Sequence, residues 1–320
     1  MNLATSYLGL PLRSPLIVGA SPMGDDLHMA ARLQDEGAAA VVMRSLFEED
    51  VEAMEALGED PMVEEISGAS GFPLTPDAYL RQLERLCGQL TIPVIASLNG
   101  YRPGGWIEFG RQLQDAGANA IELNFYQVVT DPSVAADAVE MAMLRTVREL
   151  AAAVTVPIAV KLSPFHTALA QLATALELEG AAGVVLFNRF FQPEIDAKAI
   201  RVEPRLHLSE PGELLLRLRW LAILSPQLRI SLGATGGIQT GEDIARALLA
   251  GAHAVQVVSV LLRHGVHVIP TLLQGLRQWM EAHDFADLES FRGMLNHSRS
   301  PDPAAVERAN YVRTLRSWSV

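Results

Sequence analysis

Hydrophobic positions along this chain fall in short continuous runs instead of the alternation expected of a strand with one wet face. Four runs share one lead-in. "DEGAAAVVM" (35–43), "DAGANAIEL" (115–123), "LEGAAGVVLF" (178–187) and "LAGAHAVQV" (249–257) each follow an amphipathic helical stretch and open an apolar segment. Glycine there lets a helix end in a left-handed conformation, and small residues then lead into a buried strand. "IPVIASLNG" (92–100) and "VPIAVKLSP" (156–164) start after a proline instead, and "SPLIVGAS" (14–21) and "LRISLGATGG" (228–237) complete a set of eight. Continuous Val/Ile/Leu character suits parallel strands covered on both faces.

Eight strand–helix units predict a (β/α)8 TIM barrel in one domain spanning 1–320, since a doubly wound sheet seldom needs that many. Two connections exceed plain barrel loops, 46–91 and 190–227. The first should carry a helix near 76–90 and the second an extra hairpin. Both follow a strand, which places them as extended loops over the C-terminal mouth. From about 266 to 320 the chain is expected to be mainly helical.

With 320 residues and 49% hydrophobic content the chain can bury a large core. The net charge of −12 implies no cationic surface for nucleic acid or an anionic membrane. A single cysteine, Cys87, excludes an intrachain disulfide and a cysteine-rich metal site. It is expected in the core of its helix. The N-terminal stretch lacks a basic segment followed by a sustained apolar run, and no uncharged run approaches the ~18 residues a membrane span needs. These signals make a cytoplasmic protein the expectation.

Chemistry in such barrels gathers at the C-terminal strand ends. In order these are Ala20-Ser21, Arg44-Ser45, Ser97 with Asn99, Asn124, Lys161, Asn188-Arg189, Thr235-Gly236-Gly237 and Ser259. Hydroxyls and glycines are ordinary at such junctions. Lys161, inside an apolar run, is not, because lysine is rarely buried without an anionic partner. A functional role for it is preferred over a structural ion pair. Gly236-Gly237 after the seventh strand, with Ser259 after the eighth, supply N–H groups where barrel enzymes bind phosphate. No carboxylate cluster with metal spacing is evident, so no metal is expected. Amide and cationic donors without an acid favour an electron-rich phosphorylated cofactor.

These residues resemble the FMN-dependent dihydroorotate dehydrogenases and their relatives over nearly the whole chain. "ATGGIQTGEDIARALLAGAHAVQVVSVLLRHG" is similar to the family's FMN-phosphate segment, "PIAVKLSP" to its strand-five lysine motif, and "ELNF" to its strand-four asparagine motif. "GVVLFNRF" places Asn188 at the strand-six asparagine, and "IVGASPMG" resembles the segment beside the isoalloxazine ring. The resemblance implies an FMN cofactor contacted by Ala20, Ser21, Arg44, Ser45, Asn124, Lys161, Asn188, Thr235, Gly236, Gly237 and Ser259. It implies hydride transfer from a substrate C–H to flavin N5, with Lys161 stabilising charge near N1 and C2=O.

The departures lie on the substrate side. Where the family continues strand four with a Cys or Ser base, this chain has Gln127, and Val129 replaces a substrate-holding Asn. A carboxamide is no useful base near neutral pH. Tyr126 is the slightly favoured replacement, with Ser163 and His166 as further candidates. The family's strand-two Lys is Arg44 here, whose guanidinium does not reproduce an ammonium. The Asn-rich substrate loop survives at most as "SGASGFP" (67–73), keeping Gly71. Substrate contacts are therefore expected from Arg44, Gly71, Asn124, Asn188 and Arg189, with the two arginines suiting a small anion.

Four readings stand side by side. The first is an FMN oxidoreductase of this group with a changed substrate. The second is a true dihydroorotate dehydrogenase of pyrimidine biosynthesis with an atypical base. The third is a flavin-free phosphate-binding barrel using Lys161 as a Schiff-base lysine. The fourth is a flavoprotein that only passes electrons to a partner. A small-molecule substrate and a homodimer are expected, with a redox partner protein as a further candidate.

Overall fold

The computed structural model of the chain describes residues 1–48, 75–100, 106–189, 191–203 and 205–317. Within them the eight apolar runs form eight parallel strands: β3 (Leu16–Val18), β4 (Ala40–Val42), β6 (Val94–Asn99), β7 (Ala120–Asn124), β8 (Ile158–Leu162), β9 (Gly183–Leu186), β12 (Ser231–Thr235) and β13 (Ala254–Val257). They neighbour one another in the order β4-β3-β13-β12-β9-β8-β7-β6, and a β4–β6 pairing closes the ring. This is a (β/α)8 barrel. A two-residue strand, β5 (Leu46–Phe47), extends the pairing with β6 at the mouth.

The repeated glycine lead-in has the conformation its sequence demands. Gly37, Gly117, Gly180 and Gly251 all have positive φ, from +96° to +117°. Each ends a helix and turns the chain into β4, β7, β9 or β13. The helix Pro76–Gln89 occupies the place expected of it, started by Thr75, whose hydroxyl accepts the Ala78 N–H at 3.2 Å. The second long connection contains an antiparallel hairpin, β10 (Glu194–Asp196) with β11 (Arg201–Glu203).

Two features depart from the sequence expectation. An antiparallel hairpin, β1 (Thr5–Tyr7) with β2 (Leu10–Leu12), precedes the barrel. Tyr7, Leu8 and Leu12 pack with Ile17, Ala40, Ile95, Ala120, Ala159, Val185 and Ala254 inside the ring. The alanines leave room in the lower barrel that the hairpin fills, so β1 and β2 stopper the N-terminal end. Leu8 N–H donates to Ser231 Oγ at 2.8 Å there. The other departure is the tail. Val268–Ala282 is helical, but 283–307 consists of turns with one short 3-10 segment before the final helix, Arg308–Ser317. Among the described residues, no helix is long and apolar enough to cross a membrane.

Candidate active site

Strand pleating decides which side chains meet inside the ring. On β7, Asn124 and Glu122 are two residues apart and share the inward face, and register places Asn124 beside Lys161 of β8. Gln256 projects inward from β13. Lys161 Nζ donates to Glu122 Oε1 at 3.1 Å and to Gln256 Oε1 at 3.4 Å. Gln256 Nε2 donates to the second carboxylate oxygen, Oε2. All three side chains are buried, with Glu122 and Gln256 each 1% exposed. Among the described residues one of the three Lys161 N–H groups is left uncommitted.

Above this network, Asn188 Nδ2 donates to Asn124 Oδ1, joining the ends of β7 and β9. Across the mouth, Ser45 and Ser97 share a hydrogen bond of 2.8 Å between hydroxyls. Tyr79, from the helix Pro76–Gln89, accepts the Ser97 N–H at 2.9 Å and donates to the Ser97 carbonyl at 3.2 Å. Burial pushes the Tyr79 phenol well above its usual pKa.

Arg44 does not stand free for an anion, as its position suggested. It pairs with Asp25 at 2.5 Å. Burial raises the Asp25 carboxyl above the usual carboxylate pKa while Arg44 pulls the other way. Glu122 and Asp25 also correct the expectation of a mouth without acids. The criterion that singles out Lys161, a charge inside an apolar strand, applies equally to Glu122. It escapes a survey of strand ends because it lies two residues below one.

The strand-seven turn is tighter than a bare donor cradle. Gly236 and Gly237 have φ of +94° and +81°. A Cβ on Gly237 would lie 2.4 Å from the Leu214 nitrogen, so the helix Leu214–Leu224 leaves no space for a side chain. Arg217 of that helix is buried and donates through Nε to the Thr235 carbonyl at 2.9 Å. Gly237 N–H points at Ser209 Oγ, 3.3 Å away, and Ser259 Oγ accepts the Ser209 N–H at 3.0 Å. Ser209, absent from the sequence reading, therefore shares the two donors expected for phosphate. Its place in the long second connection gave no periodic signal.

Tyr126 accepts the Phe191 N–H at 3.1 Å and faces the Phe191 carbonyl at 3.5 Å. It ties the loop after β7 to the loop after β9. Gln127 is exposed, as are Val128 and Val129. A cavity of about 550 Å³ opens beside them, lined in part by Phe125, Gln127, Val129, Ser163, His166 and Glu140. Neither Asn124, Lys161 nor Asn188 lines it. Within it His166 Nδ1 lies 3.7 Å from Glu140, and burial lowers the imidazole pKa against the opposing pull of that carboxylate. Gly71 lies outside the described residues. Cys87 is half-buried against the core, and burial raises its thiol to about 11. Among the described residues no group of three metal-ligating side chains forms.

The residues suit a flavin mononucleotide. Among the described residues, Ser21 Oγ and Arg189 Nη1 are buried without a hydrogen-bond partner, and buried polar atoms ordinarily have one. With the Asn124–Asn188 amides and Lys161 they make a mouth of donors for a polar ring. A Schiff-base lysine must present a free amine, and the Lys161 ion pair with Glu122 does not suit that role.

Comparison with known proteins agrees with this chemistry. The family described as dihydroorotate dehydrogenase matches residues 3–280. The dihydroorotate dehydrogenase B (NAD(+)) catalytic subunit of Pyrococcus furiosus is 27% identical, over 92% of this chain and 99% of its own. The NAD-dependent dihydropyrimidine dehydrogenase subunit PreA of Escherichia coli K12 is 26% identical, over 94% of this chain and 78% of its own. The chloroplastic dihydropyrimidine dehydrogenase (NADP(+)) of Arabidopsis thaliana is 25% identical, over 91% of this chain and 76% of its own.

Proposed function

The chain belongs to the dihydroorotate dehydrogenase family of oxidoreductases, and on that premise we propose that it is an FMN enzyme acting on a CH–CH bond of a small anionic substrate. The observation that carries this reading is the Asn124–Asn188 amide pair set over the buried Lys161–Glu122–Gln256 network. A flavin bound here would supply the hydride-accepting chemistry. Asn124 and Asn188 orient polar ring edges, Lys161 offers its remaining N–H to developing negative charge, and Ser21 supplies a buried hydroxyl. Gly236, Gly237 and Ser259 would hold the phosphate, Gly237 and Ser259 in exchange for their present contacts with Ser209.

Arg189 is the preferred substrate anion contact. Among the described residues its Nη1 lacks a hydrogen-bond partner, lying 3.5 Å from Glu213, whereas Arg44 is committed to Asp25. Names of two relatives, "subunit" and "catalytic subunit", support an electron-accepting partner chain. The changed residues at Gln127 and Val129 favour a substrate other than dihydroorotate. The test is to purify the chain, record its visible spectrum, and add dihydroorotate or 5,6-dihydrouracil anaerobically. A flavin spectrum that dihydroorotate leaves unbleached is expected. Bleaching by dihydroorotate would restore the pyrimidine-biosynthetic reading, and a colourless protein that cannot be reconstituted with FMN would remove the flavin reading.

A further inference from the structure

The chain has 25 cationic residues but only two lysines, Lys161 and Lys198. Lys198 is exposed; Lys161 is 7% exposed at the centre of the barrel. A buried ion pair stabilises poorly unless every remaining donor and acceptor is engaged, and well-packed apolar residues often serve better. Here the pair spans β7 and β8, and a glutamine from β13 engages both partners. Beneath it lies Tyr7, whose phenol is raised well above its usual pKa by burial and, secondarily, by the Glu122 charge. Among the described residues the Tyr7 hydroxyl has no hydrogen-bond partner, so nothing described on the barrel floor competes for the carboxylate.

An isolated ammonium would place a full positive charge under the mouth. Paired with Glu122, it presents a directed N–H with little net charge. We propose that Glu122 is a positioning residue that fixes Lys161 and, by offsetting its charge, lowers the reduction potential of the bound flavin, with Gln256 clamping the carboxylate. This second half rests on the FMN reading above; the first half does not.

The test uses full-length protein labelled with 13Cε-lysine, which yields two lysine signals, compared with the Glu122→Gln variant. Without FMN, the Lys161 signal moves in the variant and the Lys198 signal does not. With FMN bound, the preference for reduced over oxidised flavin rises at least tenfold, which for a two-electron couple is about 30 mV to more positive potential. A Lys161 signal that moves to the neutral-amine position with an unchanged potential also supports the proposal, because the ion pair and a neutral amine carry the same net charge. An unmoved Lys161 signal overturns the positioning role. A signal that moves as a charged amine while the potential stays overturns the tuning role. A protein that binds no FMN overturns the flavin reading alone, since the signal still reports on Glu122. If Glu122→Gln does not fold, Gln256→Leu removes only the clamp: the Lys161 signal then shifts or splits, and a single unmoved line overturns the proposal.

Discussion

The two ends of this barrel are built from the same eight strands and solve opposite problems. At the N-terminal end a hairpin inserts Tyr7, Leu8 and Leu12 among alanines, and the interior is filled. At the C-terminal end the inward positions are Glu122, Asn124, Lys161, Asn188 and Gln256, which satisfy one another across strands. Apolar filling makes a floor that is stable without being selective. Paired polar groups make a ceiling whose stability depends on a few partners, and that dependence is what a cofactor can exploit. The loops beyond the mouth form a third regime, with Val128, Val129 and Phe165 exposed around the 550 Å³ cavity.

If the floor serves stability alone, changes there should move stability and leave the flavin spectrum as it was. The largest effect is expected from His253, at the start of β13. Its Nδ1 accepts the Leu232 N–H at 3.0 Å. Burial, aided by Arg292, holds its pKa down to about 4 from the usual 6.5. The folded state thus prefers the neutral ring, and the unfolded chain binds the proton first as pH falls. Stability from this residue is complete above pH 6.5 and lost by pH 4, a loss of about 3 kcal/mol at ~1.4 kcal/mol per pKa unit. Urea unfolding of wild type and His253→Asn at both pH values measures it. A stability difference between the two proteins that does not shrink toward pH 4 would refute the assignment.

A smaller effect of opposite sign is expected at Tyr7. Its buried hydroxyl has no partner among the described residues, so Tyr7→Phe removes an unsatisfied polar atom and should stabilise by about 1 kcal/mol. Loss of stability in the same denaturation experiment would mean that the hydroxyl has a partner in solution, and the floor would then be less purely apolar than described.

The smallest stability effect belongs to the mouth. Tyr126→Phe forfeits the Phe191 contact in a half-buried setting and should cost below about 1 kcal/mol. Its value lies in rates. As a loop tether, Tyr126 can be replaced by Phe with less than a tenfold change in anaerobic flavin reduction by whichever of dihydroorotate and 5,6-dihydrouracil bleaches the wild type. A proton acceptor would lose roughly 10²–10⁴, and a drop of that size would return Tyr126 to the chemistry.

Much of the barrel was legible because its signals are local. Each helix-ending glycine and each apolar run is set by backbone conformation and burial within about ten residues, and all eight runs became strands. The family motifs are short for the same reason, and Asn124, Lys161 and Asn188 could be located on them. Tertiary structure decided what those groups do to one another. Glu122 is 39 residues from Lys161 and Gln256 is 95 beyond it, so only barrel closure and shared inward faces bring them to hydrogen-bonding distance. Arg44 seemed free until Asp25 was placed beside it, and the phosphate donors seemed open until Ser209 folded over them. The hairpin under the barrel follows the same logic, since its apolar side chains become a stopper only once a ring of alanines exists to receive them. Sequence by itself determined which segments are buried and which way the strands run; partnerships between buried polar groups depend on distances between strands, and those exist only after the ring has closed.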